Sequence, residues 1–317
     1  MSGQGPLLDR ELLAVTGKGG VGKTTIAAAL ALACARAGRR TIVCEVQGQS
    51  GVPRLLGHAG PVRPGEETQV ADGVWATTID PERALAEWAG TEVLPRPLVE
   101  LLMRSSTFAS FVSAAPGARE LVTATKAWEL GRTGGARGSR WSRHEGYDVV
   151  VLDAPASGHG LALLRAPRTF ADIARVGPVA VQARRAAELL EDPARTAVIA
   201  VARAEETPVN EVLELEPQCV AALGHGPALI VANAIRGDAL RAPERELVAA
   251  AGPQLPAAVA GALVTRGARL RVQDAQLHRL RRHATAPVTT LPMVQGDGVS
   301  GEDLEVLARR LSRVISD

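Results

Sequence analysis

Nine consecutive residues near the start of the chain, Gly17-Lys18-Gly19-Gly20-Val21-Gly22-Lys23-Thr24-Thr25, restrict its fold more than any other stretch. They follow Glu11-Leu12-Leu13-Ala14-Val15-Thr16, a compact apolar run with the character of a buried strand. After them, residues 26–37 are rich in alanine and leucine and stop at Gly38, as a helix does. Glycines between strand and helix let the backbone curl with its N–H groups turned inward, and the helix start near Lys23 adds its positive dipole end. The result is a cradle for phosphate. Within it Lys23 is placed to reach the β- and γ-phosphates of a nucleotide, Thr24 to offer its hydroxyl to Mg²⁺, and Thr25 to touch the α-phosphate.

A chain of 317 residues is long enough for one large α/β domain or two small ones. Apolar residues make up 46% and aromatics only 3%, so Ala, Val and Leu must build the core, which suits close packing of helices on a sheet. A formal charge of +2 singles out neither nucleic acid nor an acidic membrane face as a partner. Cys34, Cys44 and Cys219 are scattered without a C-x-x-C pair, which argues for buried thiols over a disulfide framework or a cysteine zinc site. Neither a secretory leader nor an apolar run of bilayer length is evident, so a cytoplasmic location without stable membrane insertion is expected.

Further strands are expected at Arg40-Thr41-Ile42-Val43-Cys44-Glu45, at 75–81, at Tyr147-Asp148-Val149-Val150-Val151-Leu152-Asp153, and at 196–201, 228–232 and 288–291. Helices are expected near 181–192, 208–223, 241–251 and 302–315. Strand and helix alternating at this spacing predict a mostly parallel sheet with helices on both faces, in one domain over 1–317. Residues 83–145 break the alternation. There Leu98, Leu101 and Leu102, then Phe108, Phe111 and Val112, fall at helical spacing, which predicts a helical insertion ending in a Gly-, Ser- and Arg-rich loop.

Asp153 closes its apolar strand at the place from which a carboxylate holds a Mg²⁺-bound water in phosphate-loop enzymes. Just beyond, Gly158 and Gly160 flank His159 in a hinge-like segment suited to reordering on hydrolysis. The alternative for His159 is a turn residue with no part in proton transfer. Lys18, together with the segment from Asp153 through Gly158, His159, Leu161 and Leu164 to Pro167, resembles the ArsA-type ATPases. That family includes the arsenite-pump ATPase and the guided-entry ATPase for tail-anchored membrane proteins. Ile79-Asp80-Pro81 and Ala115-Pro116-Gly117-Ala118-Arg119-Glu120 look like further landmarks in the right order. Asn233 is similar to the family's adenine-reading asparagine, and Leu291-Pro292 to its adenine-side loop. The resemblance implies ATP and Mg²⁺ as ligands, Thr24 and Asp153 organising the metal, and a dimer in which Lys18 reaches the partner's nucleotide.

The first switch departs from that pattern. Where the family carries a water-positioning aspartate, this chain has Glu45-Val46-Gln47-Gly48-Gln49-Ser50-Gly51, so that either Glu45 or Gln47 takes its place. Glu45 could orient water from one methylene further out, whereas Gln47 would orient it without accepting a proton. Such a first switch also resembles one member of paired bacterial ArsA-type ATPases, which raises a heterodimer with a catalytic paralogue beside a homodimer. The insertion holds one methionine, Met103, against the methionine-rich client groove of the guided-entry branch. Leu94, Leu98, Leu101, Leu102, Phe108, Phe111 and Trp128 line either a small groove for an apolar client or an ordinary packed face. A partition or positioning ATPase acting on DNA or membrane is the rival from the same loop class.

Overall fold

The computed structural model describes residues 6–46, 51–60, 62–81, 83–84, 117–131, 146–155, 157–173, 176–237, 246, 250, 256–294, 296 and 298–316. Eight strands form one sheet: β1 (Leu12–Gly17), β2 (Thr41–Val46), β3 (Thr68–Ala71), β4 (Val74–Ile79), β5 (Val149–Asp153), β6 (Thr196–Arg203), β7 (Leu229–Ile235) and β8 (Val288–Pro292). Their spatial order is β3-β4-β2-β5-β1-β6-β7-β8. Every neighbouring pair is parallel except β3, which folds back antiparallel on β4. The α/β reading therefore holds, with one added edge strand.

Eight helices accompany the sheet among the described residues: α1 (Lys23–Arg36), α2 (Gly51–Leu55), α3 (Ala118–Leu130), α4 (Ser157–Ile173), α5 (Pro178–Glu191), α6 (Glu206–Leu223), α7 (Ala257–His283) and α8 (Gly301–Ile315). Alternate residues of the central strands point to opposite faces, and both faces are dry. Leu13 and Val15 of β1 join Val43, Val151, Ile199 and Val231 in a core with α1 and α8. Leu12 and Ala14 join Ile42, Val150, Leu152 and Val198 in a second core with α3 to α6. Parallel strands covered on both sides have no polar face to alternate with, which is why they read as unbroken apolar runs.

Helix α1 lies between the sheet and α8, and so it is apolar nearly all round. Ala27, Ala28, Ala29, Ala31 and Ala33 are all buried, and their small side chains let it sit close to the strands. Helix α8 is amphipathic, burying Leu304, Leu307, Leu311 and Ile315 at i, i+3, i+7 and i+11. A reciprocal Ser300–Asp303 capping box starts it.

Three placements bear on the sequence reading. Helix α3 falls within the expected helical insertion, and Ala124, Ala127, Trp128 and Leu130 pack in the second core, so of its two alternatives Trp128 takes the ordinary packed face. The segment expected as a hinge, 157–160, is the first turn of α4. Helix α7 has no counterpart in the reading, because it buries only Leu270, Gln273 and Leu280 along 27 residues and leaves little apolar periodicity to detect. The other insertion residues named above, Met103 among them, and most of the helix expected near 241–251 lie outside the described residues.

Candidate nucleotide-binding site

All the central parallel strands end at one edge of the sheet, where loops gather at the carboxyl ends as ligand sites do in open α/β folds. The glycine-rich loop leaves β1 there. Gly17 has φ +150°, and a β-carbon on it would lie 2.3 Å from the carbonyl oxygen of Val201, its register partner on β6. Gly22 has φ +95°, and its β-carbon would lie 2.3 Å from Asn233 Nδ2. No side chain fits either place. Gly19 and Gly20 are exposed at the crest, Val21 is buried beneath them, and Thr25 is half-buried on α1. Because Gly22 is the N-cap and makes no side-chain cap bond, the first-turn N–H groups of α1 have no side-chain acceptor there.

Lys23 is buried, and its Nζ donates to the Lys18 carbonyl oxygen at 3.0 Å. Burial lowers its pKa from the ordinary lysine range, opposed by the nearby charge of Asp153. Asp153 ends β5, with Val15 of β1 and Glu45 of β2 as register partners. Its Oδ2 accepts the Thr24 hydroxyl at 2.6 Å, while Oδ1 is buried without a hydrogen-bond partner. Burial raises the Asp153 pKa, against the Thr24 hydrogen bond and the Lys23 charge. A hydroxyl and a carboxylate in contact, one oxygen of the carboxylate unspent, suit a hard cation that keeps its waters and bridges to phosphate. This donor set fits Mg²⁺.

Glu45 is 1% exposed, and its Oε1 accepts from the backbone N–H groups of Gly51 at 2.7 Å and Val52 at 3.2 Å. The carboxylate thus anchors the start of α2. Burial raises its pKa, partly offset by those two amides and reinforced by Asp153. Gln47 lies outside the described residues. His159 is in the first turn of α4, and its side chain is outside the description.

On the other flank, Asn233 donates from Nδ2 to the Val21 carbonyl at 2.9 Å and so ties β7 to the loop. The next residue, Ala234, has φ +55°, at a register shift between β7 and β8. That irregularity turns the chain beside the loop. Leu291 is only 1% exposed, and its side chain packs in the core beside α1. Pro292 ends β8, and Met293 after it lines a cavity of about 550 Å³ with Arg236, Thr265, Arg266 and Arg269. Sequence reasoning missed Glu211, whose Oε1 takes the Lys18 ammonium at 2.8 Å from α6. A glutamate inside a long helix carries no local signal for such a contact.

Residues 10–177, just over half of the chain, match the sequence model of the anion-transporting ATPases of the ArsA type. The chain belongs to the ArsA ATPase family. It is 33% identical over 207 residues to ATPase BagA of Mycobacterium tuberculosis, covering 63% of this chain and 58% of BagA. It is 28% identical over 274 residues to an arsenical pump-driving ATPase of Escherichia coli, covering 78% of this chain and 44% of that protein. The corresponding protein of Acidiphilium multivorum is 27% identical over 240 residues, covering 71% and 39%. The matches thus span less than two thirds of these relatives' length. In this ArsA-family chain the matched interval holds the loop, Glu45 and Asp153, whereas Glu211, Asn233 and Leu291 lie beyond it. All three cysteines are buried, Cys34 in one core and Cys44 and Cys219 in the other. Burial pushes the thiols of Cys34 and Cys219 up to about 12, which disfavours the thiolate a metalloid would need. No helix among the described residues is long and apolar enough to cross a membrane.

Proposed function

We propose that this chain is a Mg-ATP-dependent ATPase acting as a dimeric switch that couples nucleotide state to the binding of a protein partner or apolar client. The observation that carries the reading is the Thr24–Asp153 pair beneath the glycine loop, with Asp153 Oδ1 buried and unspent. A bound Mg²⁺ would neutralise charge on the β- and γ-phosphates. The chain's own contributions are distinct. Backbone amides of 17–25 cradle the phosphates, and Lys23 sits at the helix start where the β- and γ-phosphates would lie. Asn233 holds the loop's shape from β7, and the arginine-lined cavity beyond it has room for the base and ribose. The Lys18 ammonium pairs with Glu211 of α6, so it is a second lysine of the loop that is not needed to hold the loop's own shape, free in role to serve a second subunit. Such a charge acts like an arginine finger, worth on the order of 10³ to 10⁵ in rate. A cytoplasmic location, where ATP and Mg²⁺ are available, goes with this reading, and nucleic acid has no part in it.

Glu45 favours a second reading. With Oε1 engaged by the Gly51 and Val52 amides, the carboxylate is committed to structure and less available to orient water. The chain would then be the nucleotide-binding subunit of a heterodimer, with weak turnover of its own beside a catalytic paralogue. One experiment tests both. Mg-ATP hydrolysis is measured for the purified protein, for Lys18→Ala and for a mixture with a candidate paralogue, alongside mass in solution and calorimetric ATP binding. Turnover lost in Lys18→Ala with binding retained supports the dimeric ATPase. Activity appearing only on mixing supports the paired reading, and no heat of ATP association overturns both.

A further inference from the structure

Lys18 is bound inside its own subunit. Its Nζ lies 2.8 Å from Glu211 Oε1, and the two side chains are 41% and 30% exposed. Glu211 stands in the second turn of α6, which follows β6, the strand paired with β1. Its other oxygen, Oε2, is buried without a hydrogen-bond partner, and so is Asn210 Oδ1 beside it. The glutamate is therefore half-spent: one oxygen faces inward unpaired, and the other depends on the lysine. Withdrawing Lys18 would leave a partly buried carboxylate without its cation, which costs more than parting an ordinary surface pair.

We infer that Glu211 is a positioning residue for Lys18, a latch that keeps this lysine in its own subunit and so raises the protein concentration at which ATP drives dimerisation. The inference rests on the proposal that Lys18 acts in a second subunit. Two fates compete for one ammonium, and it cannot serve both. A partner's triphosphate offers more negative charge than one carboxylate, so a nucleotide-loaded partner draws the lysine off Glu211. A partner without nucleotide offers nothing in exchange. An ion pair of this exposure shifts such an equilibrium by about 5-fold per lysine. A homodimer exchanging two lysines would feel about 25-fold, and a heterodimer in which only this chain gives its lysine about 5-fold.

The chain is well suited to testing this, because its lysines are Lys18, Lys23 and Lys126 alone, all other basic side chains being arginine or histidine. Amine acylation followed by mass spectrometry reads each one separately. In nucleotide-free protein, Lys18 is expected to react about 5-fold more slowly in the wild type than in Glu211→Gln. Lys126 should be unchanged and thereby report that the fold is intact. Equal Lys18 rates in the two proteins overturn the latch, and Glu211→Asp, one methylene too short to reach, is expected to behave as Glu211→Gln does.

Sedimentation with Mg-ATPγS then reads the threshold. Glu211→Gln is expected to lower the dimerisation midpoint by about 5-fold or about 25-fold, and to have no effect in a Lys18→Ala background. A midpoint unmoved by Glu211→Gln, or moved equally without Lys18, overturns the role of Glu211. A wild type that binds Mg-ATPγS yet stays monomeric at every concentration overturns the dimer reading instead, and the acylation rates still report the ion pair by itself.

Discussion

Replacing Asp153 by asparagine is expected to stabilise the nucleotide-free protein while removing its response to Mg²⁺. The carboxylate has no exposure, one oxygen bonded to Thr24 and the other buried without a partner. Exchanging a buried, unpartnered charge for a neutral amide that is equally unpartnered relieves about 3 kcal/mol, because the charge is much the costlier of the two to desolvate. Against it, the Thr24 hydrogen bond falls from charge-assisted to neutral, a loss of about 1 kcal/mol. Lys23 also loses an attractive charge, which acts on Asp153 less strongly than the Thr24 hydrogen bond does, so this loss is at most about 1 kcal/mol more. The net is about 1 kcal/mol in favour of the variant, or roughly 2 °C in melting temperature for a protein of this size.

The gain has a pH signature. Burial raises the Asp153 pKa in the folded state, so between the unfolded and folded values the native protein binds more protons and wild-type stability falls as pH rises. The penalty is complete above the folded value and absent below the unfolded one. The advantage of Asp153→Asn should therefore be present at neutral pH and vanish on acidification to the ordinary aspartate range. Thermal melts with and without ATP, each in Mg²⁺ and in EDTA, read everything together. In the variant, the extra ATP affinity conferred by Mg²⁺ is expected to drop by about 10- to 100-fold, as when a residue holding a metal's outer shell is lost. A variant that melts several degrees lower without nucleotide, or keeps the full Mg²⁺ increment, refutes the reasoning.

Three further substitutions test the site and its supports. Gly17→Ala would set a β-carbon 2.3 Å from the Val201 carbonyl, which the sheet ladder holds in place, and should cost at least about 3 kcal/mol by urea denaturation; an unchanged midpoint would show that the strand ends yield. Glu45→Gln keeps an oxygen for the Gly51 and Val52 amides, so turnover should stay within about 3-fold, whereas a fall of about 100-fold in steady-state hydrolysis would mean that the carboxylate acts on water. Glu216 is buried on α6, and its Oε1 accepts from the Thr285 hydroxyl and from the Thr285 and Ala286 amides, clamping the turn before β8. Glu216→Gln should cost about 1 to 2 kcal/mol and Glu216→Ala about 3 to 4 kcal/mol, and a milder loss for alanine would refute this role.

Legibility in the sequence followed the range of the forces involved. The central strands were readable because burial on both faces turns them into apolar runs, and the loop because four glycines and two lysines at fixed spacing are a purely local pattern. Strand β3 was not, since four residues held at one edge of the sheet, only one of them buried, carry almost no pattern. Helix α7 escaped for the same reason, its seat fixed by Leu270, Leu280 and the hydrogen bonds of Gln273 to the Arg236 backbone. A short strand segment does not reveal which face a residue takes, so the seat of the Leu291 side chain in the core is visible only in the fold.

By itself, then, the amino-acid order determined the glycine-rich loop between strand and helix and the parallel α/β layering, because backbone conformation and burial period are written residue by residue. Tertiary structure alone decided where the charges of the site are spent. Glu45 on the α2 amides, Thr24 on Asp153 across 129 positions and Lys18 on Glu211 across 193 all depend on which distant segments the folded sheet brings within hydrogen-bonding distance. Coulomb and hydrogen-bond energies act over a few ångströms of space, and separation along the chain carries no record of that distance.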